Sequence, residues 1–410
     1  MKYGLAFLTV CLFSGVLGAQ EEVDPLGMNS RWNNGLEFKS NDGSVSLKLG
    51  GRIMLDHAWF ADDDPSSNDD GTEFRRTRLM LQGKVNQFEW KTQYEFARGG
   101  EGSGDKGNRP AFKDVYVGVS GVPYGLGALR VGHFKEPFGL EELTSSKYIT
   151  FMERSLTSAF APSRNVGVMA HRTLDTGTLA YGVFRTTGDN GYDEGDGDYS
   201  LTGRYTRLLR NEDGGRNLLH IGAAASSRII DGLTIQPRPS AHLAGKLPGA
   251  EDETADGEFR YGVEAAWVRG PLSVQAEFMG SSVSAADNFS YTGWYVMASY
   301  FLTGESRPYD TRRGTFKRVK PAKNFSWGES WGAVELAVRY GSIDGGDLAR
   351  LDRETKIPDD TRDGPKLDDL TVGLNIYHNP TFRTMFNYVY SDMDGGEEVH
   401  AFLVRWQIGL

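Results

Sequence analysis

The sequence predicts an all-β fold: a transmembrane antiparallel β-barrel of about sixteen strands, with the long stretch 135–164 folded inward as a constriction loop. Three observations point there. Apolar and polar residues alternate in segment after segment, each closed by a Gly, Asp, Asn or Pro turn, and period two marks a strand with two unlike faces. No later stretch approaches about eighteen consecutive apolar residues, so no helix spans a bilayer. The ending HAFLVRWQIGL sets Phe402, Val404, Trp406, Ile408 and Leu410 on one face and Arg405 and Gln407 on the other, as in a terminal barrel strand.

Taken in order, MKYGLAFLTVCLFSGVLGAQ places Lys2 before an apolar run from Leu5 to Leu17 and closes it with Leu17-Gly18-Ala19. That is the order of an export signal with a small-residue cleavage site. Residues 1–19 are read as this signal, and 20–43 as a segment leading into a barrel over 44–410. The single cysteine, Cys11, falls inside the signal, which leaves disulfides and thiol chemistry no role. An exported chain with neither a disulfide nor a spanning helix is a soluble protein or a membrane barrel. With 52 glycines and 12% aromatics, and a mean hydropathy of −0.45, the barrel fits better, because only alternate residues meet lipid. Forty-five bases against 55 acids give a net charge of −10, which argues against a nucleic-acid partner.

The first strand is SVSLKLGGRIMLDHAWF (44–60), with Leu47, Leu49, Ile53, Leu55 and Trp59 opposite Lys48, Arg52 and Asp56. EFRRTRLMLQGKV (73–85) and FEWKTQYEFA (88–97) follow the same rule. Thirteen further segments carry it on to the terminal strand, giving the even number that a closed bacterial barrel needs. Short connections (Asn86-Gln87, Gly270-Pro271, Asn379-Pro380) and long ones (228–258, 302–330, 342–366) suggest periplasmic turns and external loops. The loop 135–164, KEPFGLEELTSSKYITFMERSLTSAFAPSR, breaks the rhythm. Its length marks it as functional or disordered, and Phe138, Tyr148, Phe151 and Phe160 mark it as ordered.

Catalysis has little support. The seven histidines form no HExxH pattern, and neither GxSxG nor a P-loop occurs. DNGYDEGDGDY (189–199) has a calcium-loop composition without EF-hand spacing. No cofactor or metal is expected, and the chain is not read as an enzyme. The face opposite the aromatics is more telling. Its bases (Lys48, Arg52, Arg76, Arg78, Lys84, Lys91, Arg130, Arg204, Arg228, Arg260, Arg339, Arg383, Arg405) outnumber its acids (Asp56, Glu89, Glu95, Asp114, Glu264, Glu277, Glu335). A basic lumen lowers the energy of anions in a narrow channel, and the guanidinium fork suits oxyanions. The competing reading is that these bases and acids simply pair across strands. This assignment puts Arg75 on the outward face.

Seven stretches, KLGGRIMLD (48–56), FRRTRL (74–79), GHFKEPFGLEELTSSKYITFMERSLT (132–157), LTGESRPY (302–309), GAVELAVRY (332–340), LTVGLNIYHNP (370–380) and FLVRWQIGL (402–410), resemble the phosphate-selective porin O/P family. The resemblance covers essentially the whole chain after the signal. It implies a sixteen-stranded outer-membrane porin, assembled as a homotrimer in lipid, with the long loop narrowing the channel. It also implies an arginine ladder including Arg52, Arg75 and Arg76, with Arg228 and Arg238 further along, and a narrow zone at Ser146, Lys147 and Arg154. One departure stands out: phosphate-specialised members carry a base where this chain has Glu142. Leu410 departs from the terminal Phe usual in such barrels.

The expected function is passive diffusion of small anions, phosphate or polyphosphate foremost, through a water-filled channel in the cell outer membrane. Arg52, Arg76, Arg78, Arg228 and Lys147 would stand in for part of the anion's hydration shell. The first alternative is a general or weakly cation-selective porin, favoured if Glu141, Glu142 and Glu153 dominate the narrow zone. A barrel enzyme and a secreted soluble β-protein are the others.

Overall fold

The computed structural model describes residues 27–61, 68–97, 110–195, 197–247, 249–346, 349–351, 358–359, 364, 366–394 and 397–410. The segment read as an export signal lies outside them. Sixteen long strands close into one antiparallel sheet. The first half of the barrel runs β1 Val45–Phe60, β2 Gly71–Val85, β3 Phe88–Glu95, β4 Ala111–Val122, β5 Gly127–Lys135, β6 Arg164–Leu174, β7 Gly177–Arg185 and β8 Tyr199–Glu212. The second half runs β9 Asn217–Ile229, β10 Gly257–Arg269, β11 Leu272–Ser284, β12 Phe289–Phe301, β13 Ala333–Asp344, β14 Lys366–Tyr377, β15 Phe382–Met393 and β16 Glu397–Gly409. Each strand pairs with its sequence neighbours. β16 then meets β1 from Ala401 opposite Phe60 to Gly409 opposite Arg52, which closes the barrel.

Alternation is what closes it. Along β1, Arg52, Met54, Asp56 and Ala58 are buried while Leu49, Ile53 and Trp59 are exposed. The same exposed apolar stripe continues through Val263, Val296, Val338, Val372, Phe386, Phe402 and Trp406. An outward band of this composition is suited to lipid, and full closure leaves no unpaired edge in it. A hairpin, Met28–Trp32 with Leu36–Ser40, precedes the barrel. Its second strand pairs with β1 at residues 46–49, covering the edge of β1 beyond the end of β16.

Two features depart from the sequence expectation. Between Met54–Arg76 and Leu55–Phe74 the register of β1 and β2 slips by one residue, so Arg75 is an extra residue in a β-bulge. Strict alternation put Arg75 outward. The bulge instead turns Arg75 and Arg76 to the same side, where both reach Glu153. The second departure is the connection 302–332. It joins β12 to β13 at the end of the barrel that carries the short turns 86–87, 175–176 and 270–271, not at the long-loop end. It folds back against buried faces of the wall. Arg307 Nη1 donates to Gln275 Oε1 at 2.8 Å, the Tyr309 hydroxyl lies 2.7 Å from His220 Nδ1, and Arg204 Nη2 donates to the Gly314 carbonyl at 2.8 Å.

The stretch between β5 and β6 is ordered throughout. It contains a helical turn, Leu140–Leu143, and a 3₁₀ turn, Leu156–Ala159. Phe138, Phe151 and Phe160 are buried. Two of these rings meet the wall at inward glycines: a Cβ on Gly293 would stand 2.9 Å from Phe160, and one on Gly373 would stand 3.2 Å from Phe151. A side chain at Gly293 would displace the ring.

Candidate functional site

The residues of 135–164 bond to side chains on strands far from β5 and β6. Leu140 and Glu141 each donate a backbone N–H to the Glu277 carboxylate of β11 at 2.7 Å. Arg339 of β13 donates to the Glu153 carbonyl at 3.0 Å, and Asn375 of β14 donates to the Thr150 carbonyl at 2.9 Å. From β15, Arg383 donates to the Ile149 carbonyl at 3.0 Å, and the Asn387 side-chain oxygen accepts from Met152 N at 2.9 Å. Arg405 of β16 donates to the Met152 carbonyl. Arg52 of β1 donates to the Ser146 hydroxyl at 2.5 Å.

Among the described residues, most charged groups sort into neutralised knots, and a patch of bases is left that no Asp or Glu side chain bonds. Glu153 takes a two-point contact from Arg75 (2.8 and 2.8 Å), with Arg76 at 3.8 Å and Arg405 at 2.8 Å. Arg405 also holds Asp56, its partner across the β1–β16 seam, at 2.6 Å through two nitrogens. Burial alone would raise the Glu153 carboxyl, but Arg75, Arg405 and Arg76 hold it well below the usual carboxylate range. Glu142 pairs with both Lys135 and Arg154. Against the opposing effect of burial, Arg154 and Lys135 keep it ionised below its ordinary range. Glu141 lies 3.5 Å from Arg339 and accepts from Ser155 N at 2.9 Å. None of Glu141, Glu142 and Glu153 stands alone.

The wall repeats the pattern. Arg78 pairs with Glu95, Lys91 with Asp114, Arg130 with Glu89, Arg204 with Glu264 and Arg260 with Glu258. Arg228 is bound to Glu136, a fully buried carboxylate that also accepts from Asn165 at 2.6 Å and from Ser200 and Thr202. Most of the inward bases are thus spent on neighbouring acids, and the excess read from the sequence overstates the free charge. Arg238 sits in the 230–256 connection, two residues before Ser240, whose hydroxyl oxygen accepts from Arg339 at 2.8 Å.

The patch of bases gathers where the loop meets the turn end. Among the described residues, its bases donate to oxygens outside Asp and Glu side chains. Arg52 holds Ser146, Lys147 Nζ donates to the main-chain oxygen of Leu410 at 2.7 Å, Lys48 Nζ donates to the Asn33 carbonyl at 2.6 Å, and Arg318 donates to the Pro380 carbonyl. Lys48 also lies across from Glu37. Lys147, Tyr148 and Arg318 line one cavity with Tyr377, Arg383 and Gln407. Burial, then the positive charge of Arg52, Arg318 and Lys48, brings the Lys147 ammonium down to about 6. The structure thus gathers Arg52, Ser146 and Lys147, and separately gathers Arg75, Arg76 and Glu153. Arg78 lies directly across from Arg52 but is paired with Glu95, while Arg154 shares Glu142 with Lys135 and Arg228 is bound to Glu136. Arg318 escaped the sequence reading because it belongs to a connection, where alternation assigns no face. The run Lys317-Arg318-Val319-Lys320 was its only signal.

The sequence of residues 47–405 matches the family described as phosphate-selective porin O and P. Porin O of Pseudomonas aeruginosa is 28% identical over 414 aligned positions, covering 91% of this chain and 90% of that protein. Among solved structures, an anion-selective porin from Comamonas acidovorans superimposes with a TM-score of 0.54 at 11% identity, over 89% of this chain and all of the other. OmpT of Vibrio cholerae in its trimer form gives 0.52 at 11% identity, over 90% of this chain and all of the other. At such identities the structural likeness speaks for the barrel fold alone.

Proposed function

Since this chain belongs to the phosphate-selective porin O and P family, we propose that it is an outer-membrane channel for passive diffusion of small anions, phosphate foremost. On this reading the loop 135–164 crosses the lumen and narrows it. Its bonds to β1, β11 and β13–β16 support that path. Residues 1–19 direct export, and the working unit is a homotrimer in lipid, as the trimeric OmpT form and the family resemblance suggest.

One observation carries the anion preference: Arg52, Lys147 and Arg318 gather around Ser146 and Tyr148 with no Asp or Glu side chain bonded to them, while Glu141, Glu142 and Glu153 are each tied to bases. A passing anion exchanges part of its hydration for these donors, and weak binding of this kind lets it leave again. Arg75 and Arg76 line the approach but share Glu153, which reduces their pull. The anion-selective name of the Comamonas acidovorans relative agrees with this reading.

A second reading, a general porin without specific phosphate binding, is favoured by Glu142 between Lys135 and Arg154. The test is reversal potential in a planar bilayer across a KCl gradient, followed by phosphate titration. Anion-selective current blocked by phosphate supports the first reading. Anion preference without block supports the second, and cation preference overturns the anion channel and leaves a weakly cation-selective porin.

A further inference from the structure

The connection 302–332 carries a second, outward-facing structure. Past Phe316 the chain returns to the rim, where Phe325 N donates to the His378 carbonyl at 2.7 Å. Ser326 and Ser330 then bridge to form a tight hairpin over Trp327, Gly328 and Glu329. Phe325 is its hub. Its ring lies 4.9 Å from Trp327, 6.2 Å from Trp331 and 5.5 Å from His378, and His378 in turn lies 5.3 Å from Phe382. Tyr377 is buried and bonded to Glu335, so His378, the next residue, continues the outward side of the wall. The hairpin therefore rests on the outside of the barrel.

Both indoles are left open: Trp327 is 86% exposed and Trp331 is 66% exposed. The outward face of the strands that the connection joins presents Tyr300, Leu336 and Val338, with Leu302 at the start of the connection, all exposed. An aqueous loop gains nothing by holding two tryptophans open around a third ring. At a bilayer boundary the indole face meets acyl chain while its N–H meets headgroup and water. Lys323, exposed two residues before Phe325, and Glu329, exposed between the tryptophans, put one charge of each sign beside them.

We propose that residues 325–331 form a membrane-interface anchor, seated in the phospholipid headgroup layer at the turn end of the barrel, with Lys323 beside lipid phosphate. The occupant follows from the exposed indoles and their continuity with the lipid-facing band directly above. The proposal needs the barrel to stand in a membrane and is independent of its ion preference. The anchor also ties lipid to the channel, because the same connection delivers Tyr309, Gly314 and Arg318 to the inner wall.

The test labels Trp327→Cys, and separately Trp331→Cys, with an environment-sensitive fluorophore in protein recovered from outer membranes and reconstituted in phospholipid vesicles. Asp175→Cys, in an exposed turn at the same end, serves as the aqueous reference. The expected result is several-fold stronger quenching of 327 and 331 than of 175 by lipids bearing a nitroxide near the headgroup, with iodide showing the reverse order. Iodide quenching of 327 and 331 equal to that of 175 would overturn the anchor. So would protection from both quenchers that disappears when the oligomer dissociates, which would assign the hairpin to a neighbouring protomer.

Discussion

Burial, with Arg52, Arg318 and Lys48 nearby, brings the Lys147 pKa down to about 6. Its ammonium is present below that value and lost above it. Chloride-over-potassium selectivity should therefore rise as pH falls through about 6, with an inflection that Lys147→Met removes. Reversal potentials between about pH 5 and pH 8 check this, and an inflection that persists in the variant assigns the titration elsewhere. Glu142 supplies a second residue-scale prediction. Glu142→Lys replaces the shared partner of Lys135 and Arg154 with a third cation, restoring the base that the family resemblance implies there. Phosphate should then block at about tenfold lower concentration, equivalent to about 1.4 kcal/mol. An unchanged blocking concentration would remove this position from the anion path.

At the scale of elements, the loop depends on a few buried ionic anchors. Glu136 sits just after β5 with Arg228, Asn165, Ser200 and Thr202 around it. Glu136→Ala strands the Arg228 charge in a buried site, at a cost of about 3–5 kcal/mol. The variant should show a lower midpoint in heat-induced unfolding of the detergent-solubilised barrel, and Glu136→Gln should recover part of the loss. An unshifted midpoint in Glu136→Ala would mean that Arg228 finds water. The existence of each barrel strand was legible in the sequence, since each alternating segment corresponds to one strand, but the hairpin at 28–40 carried no such segment. The β2 bulge was not: one added residue leaves the composition unchanged, and only the paired register reveals that Arg75 and Arg76 point the same way.

Over the whole molecule, alternation reports which side of the wall a residue takes but neither its height along the barrel nor its partner. That is why Arg52, Asp56 and Arg405 were all read as inward, while the bidentate pairing of the last two across the seam was not. It is also why the inward bases looked freer than they are. The meeting of Lys147 with Arg318 joins two connections from opposite ends of the barrel, so no local pattern announces it.

The bonds from 135–164 to the far wall also impose an order in time. Met152 receives Arg405, a residue 253 positions later, and Ile149 receives Arg383, 234 positions later. During assembly the loop can bond β11, β13 and β14 earlier, but its seat stays incomplete until the final hairpin has arrived and β16 has met β1. A barrel caught before that moment would hold most of its wall and a partly seated loop. Finishing the passage is thus the last act of maturation, and a half-built wall cannot yet discriminate among solutes.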